Sequence, residues 1–167
     1  MQHAEAAAIV VDAATGPVVA DIAAQLSGVC QRISVATTPA AGEIAWCDVL
    51  AGPSTAAPMV DVNANNVASL IYTSGTTGQP KGVMQPHKSY VIAGESFAMR
   101  AGLSAADRVL TVLPLFHANA QFYSTMGALV SGATLILLRR FRASQFWEHV
   151  QHYDATQFNF INGPVES

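Results

Sequence analysis

The stretch VASLIYTSGTTGQPKG, residues 67–82, decides how the rest of the chain is interpreted. Its apolar beginning is typical of a strand. Residues 72–82 then bring together five hydroxyl side chains, three glycines and one lysine. We expect Gly75, Gly78 and Gly82 to take positive φ angles and let the backbone approach a ligand. Hydroxyls beside exposed backbone N–H groups would converge on that ligand, so the stretch predicts a strand followed by a binding loop.

Short apolar runs alternate with helical patterns on both sides of this stretch. Strands are predicted at residues 7–14, 32–37, 67–75, 107–116, 133–141 and 156–163, and helices at residues 17–28, 87–102, 119–132 and 143–154. This alternation is typical of an α/β fold with a mostly parallel sheet flanked by helices. Ligands of such sheets bind beyond the carboxyl ends of the strands, where loops lead into helices, and we place the binding loop at one of these ends.

Composition divides the 167 residues into three segments. Residues 1–37 form a β-α-β segment, and residues 38–66 form a connection rich in Pro, Ala, Gly, Ser, Thr and Asn. Residues 67–167 carry the loop and the elements after it. A hydrophobic fraction of 51% is enough for a buried core, so the chain fits one globular domain of average size.

Charge and composition exclude several functional classes. Eight Lys+Arg against eleven Asp+Glu leave a formal charge of -3, which offers nucleic acid no basic surface. No apolar run approaches the ~18 residues of a membrane span, and the N-terminal residues lack a positively charged flank and a cleavage signal, so we expect a soluble chain that is not exported. Cys30 and Cys47 lack the spacing of a zinc site or a disulfide framework, so we expect two buried structural thiols in a reducing cytoplasm.

The ligand of the loop is predicted to be an anion. No carboxylate occurs between Asp61 and Glu95, whereas Lys81 adds a positive charge and Pro80 stiffens the loop before it. Phosphate suits such a set of donors. The G-x-x-x-x-G-K-[ST] loop of many nucleotide hydrolases requires Gly where this chain has Pro80, so a P-loop ATPase or kinase is disfavoured. The alternative is a surface turn between a strand and a helix.

Three stretches of the chain resemble one superfamily. YTSGTTGQPKGVM, residues 72–84, resembles the signature phosphate loop of adenylate-forming enzymes, which include acyl-CoA synthetases, luciferases and the adenylation domains of peptide synthetases. LPLFHANAQ, residues 113–121, and FRASQFWEHVQHYDATQFNFING, residues 141–163, resemble the following segments of acyl-CoA synthetases on the acyl-binding side. Gln121 and the pair FW at residues 146–147 are similar to the subgroup around carnitine/crotonobetaine-CoA ligases.

This resemblance implies a fold, a reaction and its substrates. The chain would form part of the large N-terminal AMP-binding domain of an acyl-CoA synthetase, and the C-terminal domain would be absent from it. A carboxylate would attack the α-phosphorus of ATP, pyrophosphate would leave, and coenzyme A would take the acyl group from the acyl adenylate. ATP, Mg²⁺ and coenzyme A are therefore the expected cofactors, with a small carboxylic acid as substrate, as in fatty acid metabolism.

The resemblance also assigns site residues. His117 would line the junction between the acyl pocket and the nucleotide, although an ordinary loop histidine is the alternative. The residues expected to hold the β- and γ-phosphates are Thr73, Ser74, Gly75, Thr76, Thr77, Gly78 and Lys81. No metal site is predicted, because His149 and His152 lie three positions apart without a third ligand nearby, and we interpret them as a solvated helix face.

Other side chains have two interpretations each. Arg139, Arg140 and Arg142 would either contact the phosphates of coenzyme A or form solubilising surface. Trp147 would either pack in the core or reach the acyl pocket.

The resemblance further places the chain inside a longer enzyme. The 167 residues contain no counterpart of the family's adenine and ribose motifs or of its C-terminal lysine. We therefore expect this chain alone to be inactive and to expose apolar surface that favours self-association. Two alternatives stay open, namely the adenylation domain of a peptide synthetase and a non-catalytic binding or assembly module of the same fold.

Overall fold

The computed structural model describes residues 4–26, 28, 31–52, 56, 59–73 and 80–160. The chain divides into two units, residues 1–61 and residues 62–167. Parallel strands alternate with helices in both units, and the predicted α/β class is confirmed.

The first unit is a parallel sheet of three strands in the order β1-β2-β3. Its elements are β1 (Ala8–Val11), α1 (Gly16–Asp21), β2 (Gln31–Ser34), β3 (Ile44–Ala45) and α2 (Trp46–Leu50). Val11 and Ser34 are paired across the first two strands, and both are almost completely buried. The last two elements lie within the stretch that composition marks as a connection, because the short apolar run there finds a pairing partner in β2. Cys47 in α2 is exposed, so the prediction of a buried thiol is wrong for this residue, and Cys30 lies outside the described residues.

The first helix is shorter than the sequence predicts. It ends at Asp21, and a 3₁₀ turn at Ala23–Gln25 follows where the helix was expected to continue. Val18, Val19 and Ile22 are β-branched and lose rotamer freedom in a helix, which favours an early end.

The second unit contains a hairpin, a long helix and a second parallel sheet. Its elements are β4 (Val67–Thr73), β5 (Lys81–Pro86), α3 (His87–Ala101), β6 (Arg108–Thr111), a π-helical segment (Ala120–Thr125), α4 (Met126–Ser131), β7 (Thr134–Leu137), a 3₁₀ turn (Ala143–Gln145), α5 (Phe146–His152) and β8 (Gln157–Asn159).

The strand β5 corrects the sequence interpretation of the loop. The strands β4 and β5 pair antiparallel, so the loop joins two strands of a hairpin, and the prediction of a loop leading directly into a helix is wrong. The segment KGVMQP has no alternating pattern and ends in proline, and it becomes a strand because β4 supplies its hydrogen-bond partners. The helix α3 begins only after this strand has ended.

The parallel sheet has β6 at its centre, in the order β7-β6-β8. Val109 and Leu110 have no exposed surface, and Thr111 is 3% exposed, so this strand is the core of the unit. The three strands lie within the predicted ranges and are shorter than predicted. The helices between them follow the α/β alternation that the sequence indicates.

The helices α3 and α4 approach each other through small residues. A Cβ atom at Gly94 would lie only 2.7 Å from the Cβ and 2.8 Å from the backbone oxygen of Met126. Both helices end on glycines in the left-handed conformation, at Gly102 and Gly132, with φ of 64° and 74°. The predicted helix at residues 119–132 begins as the π-helical segment before it continues as α4.

Candidate functional site

The two ends of the binding loop lie side by side at the base of the hairpin. Thr73 is the last residue of β4 and Lys81 the first of β5, and the two are paired directly in the antiparallel ladder. Because paired residues of a ladder point to the same face, the threonine hydroxyl and the lysine stem share one face, and both residues are exposed. The rest of the predicted phosphate-binding set lies outside the described residues, namely Ser74, Gly75, Thr76, Thr77 and Gly78.

Gly82 has a different function from the one predicted. Its φ is not positive, because the residue belongs to the extended strand β5. A Cβ atom here would lie 3.2 Å from Cζ of Tyr72, the residue paired with it across the hairpin. The glycine therefore makes room for the tyrosine ring beside the loop base. The expectations for Gly75 and Gly78 concern residues outside the described part of the chain.

Two lysines follow the loop, and the structure distinguishes them. The ammonium of Lys88 donates a hydrogen bond to Oδ1 of Asn65 at 2.7 Å. Lys88 also lines a cavity of about 360 Å³ at the start of α3, together with His87. Lys81, by contrast, stands at the loop base itself. Of the two lysines, Lys81 is the one that adjoins the loop, and its role in binding phosphate stays a prediction.

His117 lies on an exposed turn between β6 and the π-helical segment. Its backbone N–H donates to the carbonyl of Pro114 at 3.0 Å, and its carbonyl accepts from the N–H of Gln121 at 3.2 Å. The imidazole lies 5.0 Å from the ring of Phe116, centroid to centroid. The turn thus presents His117 to the surface, where a substrate could reach it.

A chain of side-chain hydrogen bonds that the sequence does not predict connects this turn to β4. Ser69 Oγ lies 2.7 Å from Oη of Tyr90, and Tyr90 Oη lies 2.9 Å from Oε1 of Gln121. The Nε2 of Gln121 donates to the carbonyl of Leu115 at 2.6 Å. Since Ser69 lies on the strand that ends at Thr73, the loop base and the His117 turn are physically joined. Gln121 stands out in the sequence only as a marker of a subgroup, and Tyr90 has no sequence signal.

The three arginines of the basic cluster lie around one cavity at the carboxyl end of β7. Its volume is about 680 Å³, and it is lined by Leu137, Leu138, Arg139, Arg140, Arg142, Gln145, His149 and Tyr153. His149 thus lines the same cavity as the three arginines. The contact of these arginines with the phosphates of coenzyme A stays a prediction, and solubilising surface stays the alternative.

The described residues contain neither a membrane-spanning helix nor a cluster of metal ligands. Within the described residues, none of the helices has the length and hydropathy required to cross a bilayer. The same part of the chain contains no group of three or more His, Cys, Asp or Glu side chains arranged to hold a metal ion.

Comparison with known families identifies the class. The model of the AMP-binding enzyme family matches residues 1–163, which is nearly the whole chain. The chain belongs to this family. The resemblance to adenylate-forming enzymes that residues 72–84 indicate is thereby confirmed.

The similar proteins include CoA ligases. Sulfoacetate–CoA ligase of Cupriavidus necator is 37% identical over 106 residues, covering 64% of this chain and 21% of the relative. Crotonobetaine/carnitine–CoA ligase of Escherichia coli is 38% identical over 104 residues, covering 62% of this chain and 20% of the relative. The matched region thus spans about a fifth of the length of these curated relatives.

Solved structures share the fold. The crystal structure of the anthranilate CoA ligase AuaEII, in complex with anthranoyl-AMP, superposes with a TM-score of 0.83 at 23% identity. It covers 92% of this chain, which in turn covers 30% of that protein. The chain therefore has the fold of part of a CoA ligase, as the sequence predicts.

Proposed function

We propose that the protein containing this chain is an ATP-dependent carboxylate–CoA ligase. It activates a carboxylic acid as an acyl adenylate with release of pyrophosphate, and it then transfers the acyl group to coenzyme A. The single observation that carries this proposal is the direct pairing of Thr73 and Lys81 at the base of the loop. The similarity to two CoA ligases supports the same reaction class and coenzyme A as the acceptor.

The loop's contribution to the reaction is electrostatic. Adenylation leaves little covalent chemistry to the protein, because the carboxylate is the nucleophile and pyrophosphate the leaving group. The ammonium of Lys81 and the hydroxyl of Thr73 would hold the β- and γ-phosphates and stabilise the charge that develops on them. The hydroxyls and N–H groups of residues 74–78 would complete this cradle. Mg²⁺ would arrive with the nucleotide and neutralise part of its phosphate charge.

His117 is proposed to lie where the acyl group meets the nucleotide. Its turn is exposed and is joined to the strand that ends at the loop. An imidazole at that junction can donate to a phosphate or carboxylate oxygen and so orient the reacting groups.

The 167 residues alone are proposed to be inactive. They match about a fifth of the curated ligases, and each hydrogen bond to ATP that they lack would cost about 0.5–1.5 kcal/mol of binding, or more for a charged group. Purified residues 1–167 should release no pyrophosphate from ATP with any carboxylic acid. We propose that the complete ligase works in the cytoplasm, where both ATP and coenzyme A are available.

The decisive experiment compares two lysine variants of the full-length protein. Lys81→Ala should lower the rate of acid-dependent pyrophosphate release by about 10²- to 10³-fold, the size typical for one preorganised donor at a developing charge. Lys88→Ala is the matched control, because its ammonium is bonded to Asn65, and its rate should stay within about twofold of wild type.

The outcomes separate the competing functions. A Lys81→Ala protein that keeps its rate and its fold would refute phosphate binding by the loop. A wild-type protein without acid-dependent pyrophosphate release would favour the non-catalytic binding or assembly module. An acyl adenylate that forms but passes to a carrier protein, and never to coenzyme A, would favour a peptide-synthetase adenylation domain.

A further inference from the structure

The hydrogen-bond chain between β4 and the His117 turn has a single direction. The carbonyl of Leu115 can only accept, so the group of Gln121 that faces it at 2.6 Å must be the amide NH₂. The amide oxygen then faces Tyr90, whose hydroxyl donates to it. A tyrosine has one O–H proton, so Ser69 must donate to Tyr90. Every donor in the chain thus has one specific acceptor.

Gln121 fastens the turn at two points. Its side chain binds the carbonyl of Leu115, and its backbone N–H binds the carbonyl of His117. No aliphatic side chain can replace it, and a glutamate would set a carboxylate against the Leu115 carbonyl. The position therefore requires an amide that donates on one side and accepts on the other.

Tyr90 is itself held in place. Its ring stacks on Phe122 with centroids 4.3 Å apart, and the phenylalanine is 9% exposed. The hydroxyl is thereby fixed between β4 and the π-helical segment, and it bridges elements that are far apart in sequence. Such a bridge restricts the turn far more than the backbone of an exposed loop would.

We propose that Tyr90 and Gln121 are positioning residues that set the placement of His117 relative to the loop base at Thr73 and Lys81. The inference rests on the proposed function and adds to it a mechanical connection between the two ends of the site. A loose turn would leave ATP bound to the loop but would misplace the acyl carboxylate, and displacement on the order of 1 Å can lower a rate substantially. The expected signature is therefore a loss in kcat and in kcat/KM for the acid, with the KM for ATP nearly unchanged.

The test uses the full-length protein with four variants. Tyr90→Phe keeps the ring stack and removes the bridge, and it should lower kcat for pyrophosphate release by about 3- to 10-fold. Gln121→Met keeps the side-chain length and removes both side-chain bonds, with an expected loss of about 10-fold or more. The double variant should be no slower than Gln121→Met, because Gln121→Met already breaks the bond between Tyr90 and Gln121 that Tyr90→Phe removes. Tyr123→Phe, in the same π-helical segment but outside the chain of bonds, should match wild type.

The readouts distinguish positioning from general damage. The KM for ATP should change by less than about twofold in every variant, and the melting temperature of Tyr90→Phe should stay near that of wild type. Additive losses in the double variant, or full activity in Gln121→Met, would refute the positioning role of Tyr90 and Gln121 while leaving the ligase function intact. A rise in the KM for ATP equal to the loss in kcat would also overturn it. A wild-type protein without activity would instead refute the proposed function, on which this positioning role depends.

Discussion

The hairpin of β4 and β5 and the strand β6, at the centre of the parallel sheet, are buried very differently. In the hairpin, Leu70 is 40% exposed and Met84 is 67% exposed. In the central strand of the sheet, Val109 and Leu110 have no exposed surface. The exposed hairpin thus carries the binding loop, whereas the buried side chains of β6 contribute more to the stability of the unit. Changes to the loop base should therefore alter function with little effect on stability, and changes to β6 the reverse.

The strongest test of this division exchanges the same residue type in both places. Leu110→Ala removes a fully buried side chain and leaves a cavity, so the free energy of unfolding should fall by about 3–5 kcal/mol. Leu70→Ala removes a side chain that keeps two fifths of its surface in water, and the expected loss is about 1 kcal/mol. Urea unfolding followed by circular dichroism measures both. Equal losses at the two positions would show that the hairpin contributes as much to stability as β6 does.

The sequence anticipates the sheet better than it anticipates the hairpin, for a physical reason. The runs RVLT and TLIL carry enough apolar or β-forming side chains to predict β6 and β7 by themselves, and Phe158 and Phe160 mark the strand at β8. The segment of β5 has no such pattern, and only pairing with β4 makes it extended. A local pattern can predict a buried strand, whereas an exposed strand depends on a partner that lies elsewhere in the chain.

The candidate site divides in the same way. The loop motif and His117 can be found from consecutive residues, because hydroxyls, glycines and a lysine gather in one short stretch. The contacts of Tyr90 with Ser69 and with Gln121 span 21 and 31 positions, so no spacing rule predicts them. Gly82 looks like a loop glycine in sequence, and only the ring of Tyr72 reveals why the residue is small.

A second prediction concerns how much the contact between α3 and α4 contributes to the free energy of unfolding. The helix α3 follows β5 directly and packs on α4 at Gly94, where a Cβ would meet both backbone and side-chain atoms of Met126. Gly94→Ala should lower the free energy of unfolding by about 1–3 kcal/mol, because the backbone of α4 has to move. Gly127→Ala is the matched control, since the nearest atoms to a Cβ there are side-chain atoms of Phe97, at 2.7 Å, and Leu103, at 3.4 Å, and side chains adjust more easily than a helix backbone.

The control should therefore lose less than Gly94→Ala in the same urea experiment. Both substitutions gain the same helix propensity, so their difference isolates the packing contribution. If Gly94→Ala were neutral, the helix would not be tightly packed at this crossing. The stable part of the unit would then be limited to the sheet.

The smallest expected effect concerns Asp107, just before the amino end of β6, whose carboxylate makes the stability of this region depend on pH. Asp107 Oδ1 accepts from the hydroxyl of Thr156 at 2.8 Å, and Oδ2 accepts from the N–H and hydroxyl of Ser104. The bond from Thr156 is the main cause that lowers the pKa of the Asp107 carboxyl below its usual value of 3.8. A group whose pKa is lower in the folded state stabilises the fold above its unfolded pKa, and this contribution is lost as the pH falls through the folded pKa.

Thr156→Val should raise the pKa of Asp107 and reduce stability above about pH 5, where the carboxylate is charged in both states. The difference in urea midpoint between wild type and variant should shrink as the pH falls below the wild-type pKa, because the charged bond is then lost in wild type as well. It should not vanish, since valine also leaves the N–H of Arg108 without its 3.0 Å bond to the threonine hydroxyl. The carboxylate is accessible to solvent, so the change is expected to be smaller than either core substitution produces. A midpoint difference that stays constant from pH 7 to the acid limit would show that the Thr156 hydroxyl acts only on the backbone of β6, and that the carboxylate contributes nothing to holding this edge of the sheet.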